Sequence, residues 1–237
     1  MSDEPLPVPE GEPFWSFSDL ALFCFAGLFC LMFLGPAITG LLVAALHIDK
    51  LSKALPAVLA GTIGWALLFW TLSLVFRTYQ RPFWRSLAWV APPWSPAIIA
   101  GAGIGAAIVI VLLGNLIHTP QTENEITKLM KDPASLVLMA IFGVLIAPMC
   151  EELAFRGFLQ PLLVRSFGVL PGIVGAAIPF GLLHFREYGN SWRHALLISC
   201  AGAAFGWMRH AAKSTLASTL MHAAYNALFF AAFFAVR

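Results

Sequence analysis

The run from Ser214 to Val236, STLASTLMHAAYNALFFAAFFAV, decides the fold. It is long enough for a helix to cross the roughly 30 Å hydrocarbon layer of a bilayer, holds no Lys, Arg, Asp or Glu, and lacks the alternation of a membrane barrel strand. Within it His222 and Asn226 stand four residues apart, on one helix face. The rest of the chain is of the same kind. Of its 237 residues, 59% are hydrophobic and 11% charged, with a mean hydropathy of +0.82. So few charges cannot clothe a water-soluble domain holding that much apolar surface. Six further apolar stretches, Leu20–Leu46, Ala54–Phe76, Ala97–Ile117, Ala134–Ala154, Val169–Phe185 and Ala195–Met208, predict an all-α, polytopic membrane helix bundle of about seven transmembrane helices. The range is six to eight, because Ala195–Met208 is short for a crossing. An integral, multi-pass membrane protein follows, its membrane unspecified.

The net charge is +2, and the 14 Lys and Arg are scattered through the connections, so a nucleic-acid partner is set aside. They divide evenly between the two sides, so the positive-inside rule chooses no orientation. Cys24, Cys30, Cys150 and Cys200 lie in apolar runs without a C-x-x-C pair and read as small buried hydrophobes. Residues 1–17 form an acidic, proline-rich tail with no basic n-region, expected to be solvated; 18–237 form the membrane domain. The Arg77–Pro96 segment mixes arginines with Phe83, Trp84, Trp89 and Trp94 and suits the headgroup layer. Gly101 with Gly105 and Gly202 with Gly206 are expected to bring helices close. Pro36 and Pro179 should kink their helices and free carbonyls that a neighbour must satisfy.

Charged groups within membrane helices cost about 2.5–3.5 kcal/mol each at the helix centre, so they need a partner or a purpose. The fourth stretch ends in Pro148-Met-Cys-Glu151-Glu152-Leu-Ala-Phe-Arg156, which puts two acids and a guanidinium at or near the membrane boundary. Glu151 and Glu152 point about 100° apart on a helix and cannot share an environment. Glu152 and Arg156 have the spacing and order of a helix-face ion pair, leaving Glu151 as a candidate general base without a local partner. Phe180-Gly-Leu-Leu-His184 adds an imidazole near the end of the fifth stretch. A lone buried His, or a His with an Asn, can equally glue helices together.

Taken in order, Glu-Glu-x-x-x-Arg, Phe-x-x-x-His and His-x-x-x-Asn on successive helices resemble the CPBP family of CAAX proteases and bacteriocin-processing enzymes. The likeness runs from Glu151 to Asn226, within the 134–236 region, and the earlier stretches match only in character. The resemblance implies an intramembrane glutamic endopeptidase. In such an enzyme Glu151 and His184 activate a water, His222 and Asn226 stabilise the oxyanion, and Glu152, Arg156 and Phe180 support the site. It implies no cofactor, a membrane-associated or lipid-modified peptide substrate, and a wet polar cavity around Glu151. Peptide hydrolysis without a Ser or Cys nucleophile does need a deprotonated water and donors aimed at developing negative charge.

Two alternatives use the same residues. Glu151, His184 and His222 make a His₂Glu set that zinc accepts, although no H-E-x-x-H is present and Asn226 would have no part as a ligand. A non-catalytic scaffold or transporter would use buried polar groups to bind or relay, but no internal repeat is visible. His47, His118, His194 and His210 fall near span ends and read as interfacial. Gln121 to Lys131 reads as a short surface helix, and Arg186, Glu187 and Arg193 as residues near a cavity mouth.

Overall fold

The computed structural model describes residues 13–120 and 125–235; residues 1–12 of the tail and 121–124 of the connection lie outside the described residues. There is no strand among the described residues, and seven long helical rods form a bundle. These are α1 (Phe17–Leu46), α2 (Leu55–Thr78), α3 (Pro96–Leu116), α4 (Pro133–Phe167), α5 (Val169–Leu183), α6 (Trp192–Ala212) and α7 (Thr215–Ala235). Five of them, α1 to α4 and α7, are long and apolar enough to cross a membrane. The remaining two are a shorter apolar helix, α5, and α6, which carries Arg193 and Arg209. Their outer faces present large apolar side chains such as Phe25, 70% exposed, and Leu112, 62% exposed, as lipid contact requires.

Hydrogen bonds between connections define two ends of the bundle. At one end the Tyr79 hydroxyl donates to Asp19, Arg165 donates to the carbonyls of Pro13 and Trp15, and the Thr215 N–H donates to the Ala88 carbonyl. At the other, Ser52 meets Ser135 and Arg193 donates to the His118 carbonyl. Helix starts follow local chemistry: Ser95 and Asp132 accept from backbone N–H groups of the first turn, each ahead of a proline that needs no partner there. The packed chain begins before α1, because Trp15 is fully buried, stacked on Phe76 and Phe158, with its indole N–H on the Phe158 carbonyl.

Three π turns interrupt the rods, Cys30–Leu34 in α1 and both Phe142–Ile146 and Leu153–Leu159 in α4. Each stands two residues ahead of a proline, Pro36, Pro148 or Pro161. The residue before each proline donates its N–H five residues back, from Gly35 to Cys30, Ala147 to Phe142 and Gln160 to Phe155. A proline has no N–H and crowds the carbonyl four residues earlier; the widened turn makes room for it. Pro179 lies inside α5 without such a turn.

The fourth apolar stretch does not end near Ala154. α4 continues to Phe167, so Glu151, Glu152 and Arg156 sit mid-rod and not at its end. Arg156 and Gln160, polar residues beyond Ala154, are buried and donate to the carbonyls of Gly202 and Gly206 on α6. Those glycines provide the close approach expected of them: an added methyl at Gly202 would press on Arg156 and Phe180, and one at Gly206 on Gln160. Gly101 and Gly105 do not; both face open space, whereas a methyl on Gly103 would collide with the Met221 carbonyl of α7.

Candidate active site

Glu151 and Glu152 occupy a short α segment, Ala147–Glu152, between the two π turns of α4. Their environments differ as the 100° offset requires. Glu152 is fully buried and accepts Arg156 Nη1 at 2.9 Å, while Arg156 Nη2 donates to the Gly202 carbonyl at 2.7 Å. The guanidinium lies 4.4 Å from the centroid of the Phe180 ring, a cation–π contact that gives Phe180 a supporting position. The same Glu152 oxygen takes His222 Nδ1 at 3.0 Å, and Phe205 stacks on the His222 ring at 4.4 Å.

Glu151 turns to a different space, with its side chain one-fifth exposed and Oε2 3.9 Å from His222 Nε2. That distance is too long for a hydrogen bond and is one that a shared water or substrate oxygen can bridge. Glu151 is therefore not partnerless: His222 spans the two acids. His184 Nδ1 lies 2.8 Å from the Phe180 carbonyl. A carbonyl only accepts, so Nδ1 carries a proton and Nε2 is the nitrogen through which the ring can take up or give one.

Asn226 Nδ2 donates to the Gly143 carbonyl at 2.7 Å. The reason lies in the π turn. The Ala147 N–H, which would serve Gly143 in an α-helix, bonds Phe142 instead, and the next candidate is Pro148, which has none. Asn226 supplies the missing donor. Freed carbonyls were expected at Pro36 and Pro179; the one met by a candidate site residue belongs to Pro148.

A cavity of about 640 Å³ gathers these groups. Glu151, Phe180, His184, His222 and Asn226 all line it, with Glu152 and Arg156 behind the wall. α4 contributes Met139, Phe142, Gly143, Ala147 and Glu151 along one stripe; α7 contributes His222 to Phe233; α3 and α6 close the other sides. Among the described residues no three His, Cys, Asp or Glu side chains come together in a group that could hold a metal ion.

Glu187, Tyr188 and His194 line the cavity, with Tyr188 and His194 stacked at 4.8 Å, so His194 is not merely interfacial. Tyr225 also lines it, and its place beside Asn226 in the apolar run was the available signal. Burial raises the Glu187 carboxyl above its usual range, the His184 charge offsets part of this, and Glu151 adds to it. Burial, with Glu187 and Glu151 nearby, pushes the Tyr188 phenol up to about 12, so it stays a donor.

Residues 133–228 match the family model described as Rce1-like: Type II CAAX prenyl endopeptidase Rce1-like. This stretch belongs to the Rce1-like family. It runs from the first residue of α4 to just past Asn226 and so takes in every wall group derived from the three motifs, while α1 to α3 lie outside it. The match likens this stretch to CAAX-type membrane peptidases, which are hydrolases. No curated protein and no solved structure matches the chain.

Proposed function

We propose that the protein is an intramembrane glutamic endopeptidase acting on a membrane-associated or lipid-modified peptide, without a metal or other cofactor. The observation that carries this reading is the convergence of Glu151, His184, His222 and Asn226, from α4, the end of α5, and α7, on one cavity in an otherwise apolar bundle. Groups this costly in a membrane bundle are best explained by chemistry done among them.

In this reading Glu151, with His184 Nε2 in support, removes a proton from water, and the hydroxide adds to the scissile carbonyl carbon. His222, as an imidazolium held by Glu152 through Nδ1, offers its Nε2–H to the oxyanion. Asn226 has a second N–H beyond the one given to Gly143 and adds a further donor. The proton taken from water passes to the amide nitrogen, the C–N bond breaks, and an acid and an amine leave. Glu152, Arg156 and Phe180 hold His222 in place.

The test is cleavage of membrane-anchored reporter peptides by purified protein in vesicles, with Glu151→Gln beside it. The variant should insert and fold yet lose cleavage by about 10²-fold or more. Wild-type turnover in Glu151→Gln rejects the reading. Zinc required in stoichiometric amount, with activity lost to chelators, would replace the glutamic mechanism with a metal-dependent one.

A further inference from the structure

We propose that Glu187 makes the cavity select peptides carrying a basic group within a few residues of the scissile bond and turn away those carrying a carboxylate there. This rests on the endopeptidase reading and names the substrate chemistry of that same site.

Two carboxylates, Glu151 and Glu187, line the cavity, and among the described residues no Lys or Arg does. The basic side chains of that end are elsewhere: Arg193 donates to the His118 carbonyl and lies over the Trp192 ring, and Arg186 is exposed outside the wall. Lys128 and Lys131 flank lining residues without lining the cavity themselves. Glu187 makes no ion pair with a cation among the described residues, and the groups that act on it electrostatically are His184 and Glu151. Glu151 and His184 have roles in the reaction. Glu187 has none, and it is half-buried in the turn after α5, one helical turn beyond His184.

Dimensions set how near a bound chain must pass. Along α6 the cavity runs from His194 to Phe205, about 16 Å at 1.5 Å per residue. An extended peptide rises about 3.3 Å per residue, so about five residues fill that depth. With the scissile bond beside Glu151 and His222, the residues on one side of it run past Glu187. A carboxylate there meets two like charges, and a basic group meets the partner Glu187 lacks.

The test uses acyl-anchored peptides identical except for Lys, Gln or Glu at each of five positions around the scissile bond, in vesicles of neutral phosphatidylcholine so that surface charge plays no part. At one position at least, wild type should cleave the Lys peptide about tenfold or more faster in kcat/KM than the Glu peptide. Glu187→Gln should collapse that ratio, and Glu187→Lys should invert it. Equal cleavage of all three peptides, or a Lys preference that survives in Glu187→Gln, overturns the proposal while leaving the endopeptidase reading intact. No cleavage of any peptide by wild type overturns both.

Discussion

His222 donates from Nδ1 to Glu152 at 3.0 Å, and the oxygen that receives it also receives Arg156 Nη1 at 2.9 Å. A single buried carboxylate thus fixes an imidazole from α7 and a guanidinium from its own rod. Glu152→Gln keeps the shape and removes the charge that, in the proposed mechanism, holds His222 as a donor. Turnover should fall by about 10²-fold or more with a smaller change in KM, because Glu152 does not touch the cavity. Steady-state kinetics on a reporter peptide separates the two, and a change confined to KM would contradict the arrangement.

Arg156 should matter to folding before it matters to catalysis. Arg156→Ala strands Glu152 as a buried charge and leaves the Gly202 carbonyl without its donor, a loss of about 3–5 kcal/mol. Unfolding in micelles should show it. The paired change Glu152→Gln with Arg156→Met should recover part of the loss, since both charges then leave the core together.

Asn226 and Pro148 should be coupled energetically although they do not bond each other. Asn226→Ala orphans the Gly143 carbonyl and should cost about 1–3 kcal/mol. Pro148→Ala restores a backbone N–H within reach of that carbonyl, so the cost of Asn226→Ala should shrink in its presence. A double-mutant cycle on unfolding reads the coupling, and strictly additive costs would remove the π turn from the explanation.

Acid should erase the selectivity assigned to Glu187 before it titrates an ordinary surface carboxylate. Burial and Glu151 raise the Glu187 carboxyl, with His184 offsetting part of the rise. Its charge is therefore complete well above that raised value and disappears as pH falls through it. The Lys-to-Gln ratio of kcat/KM should be flat at high pH and drop on mild acidification, and the shared catalytic groups cancel in the ratio. A ratio that does not move with pH would count against Glu187.

The bundle and the three motifs were legible because polar side chains in membrane-length apolar runs have few innocent explanations. Glu151, Glu152, Arg156, His184, His222 and Asn226 all stood out on that ground. The position of the acids along their helix was not legible. Arg156 and Gln160 look in sequence like the end of a span, and only the carbonyls of Gly202 and Gly206, some 46 residues away in the chain, make them interior. Gly103 could not be told from Gly101 and Gly105 by spacing, since which face meets Met221 is a matter of packing. Glu187 read as a residue near a cavity mouth and His194 as interfacial because they sit beside connections, and the turn that folds them into the wall leaves no periodic trace.

The two π turns of α4 carry one more consequence. Each lodges a surplus residue in the rod, and a residue is worth about 100° of rotation about the axis. Deleting one residue from Phe142–Ile146 would keep every polar side chain in the sequence yet swing Glu151 away from the stripe that Met139 begins and Glu152 away from His222. The compass bearing of the acids is set by how many residues the helix holds, so a one-codon deletion at a wholly apolar spot should silence the protein as surely as replacing Glu151.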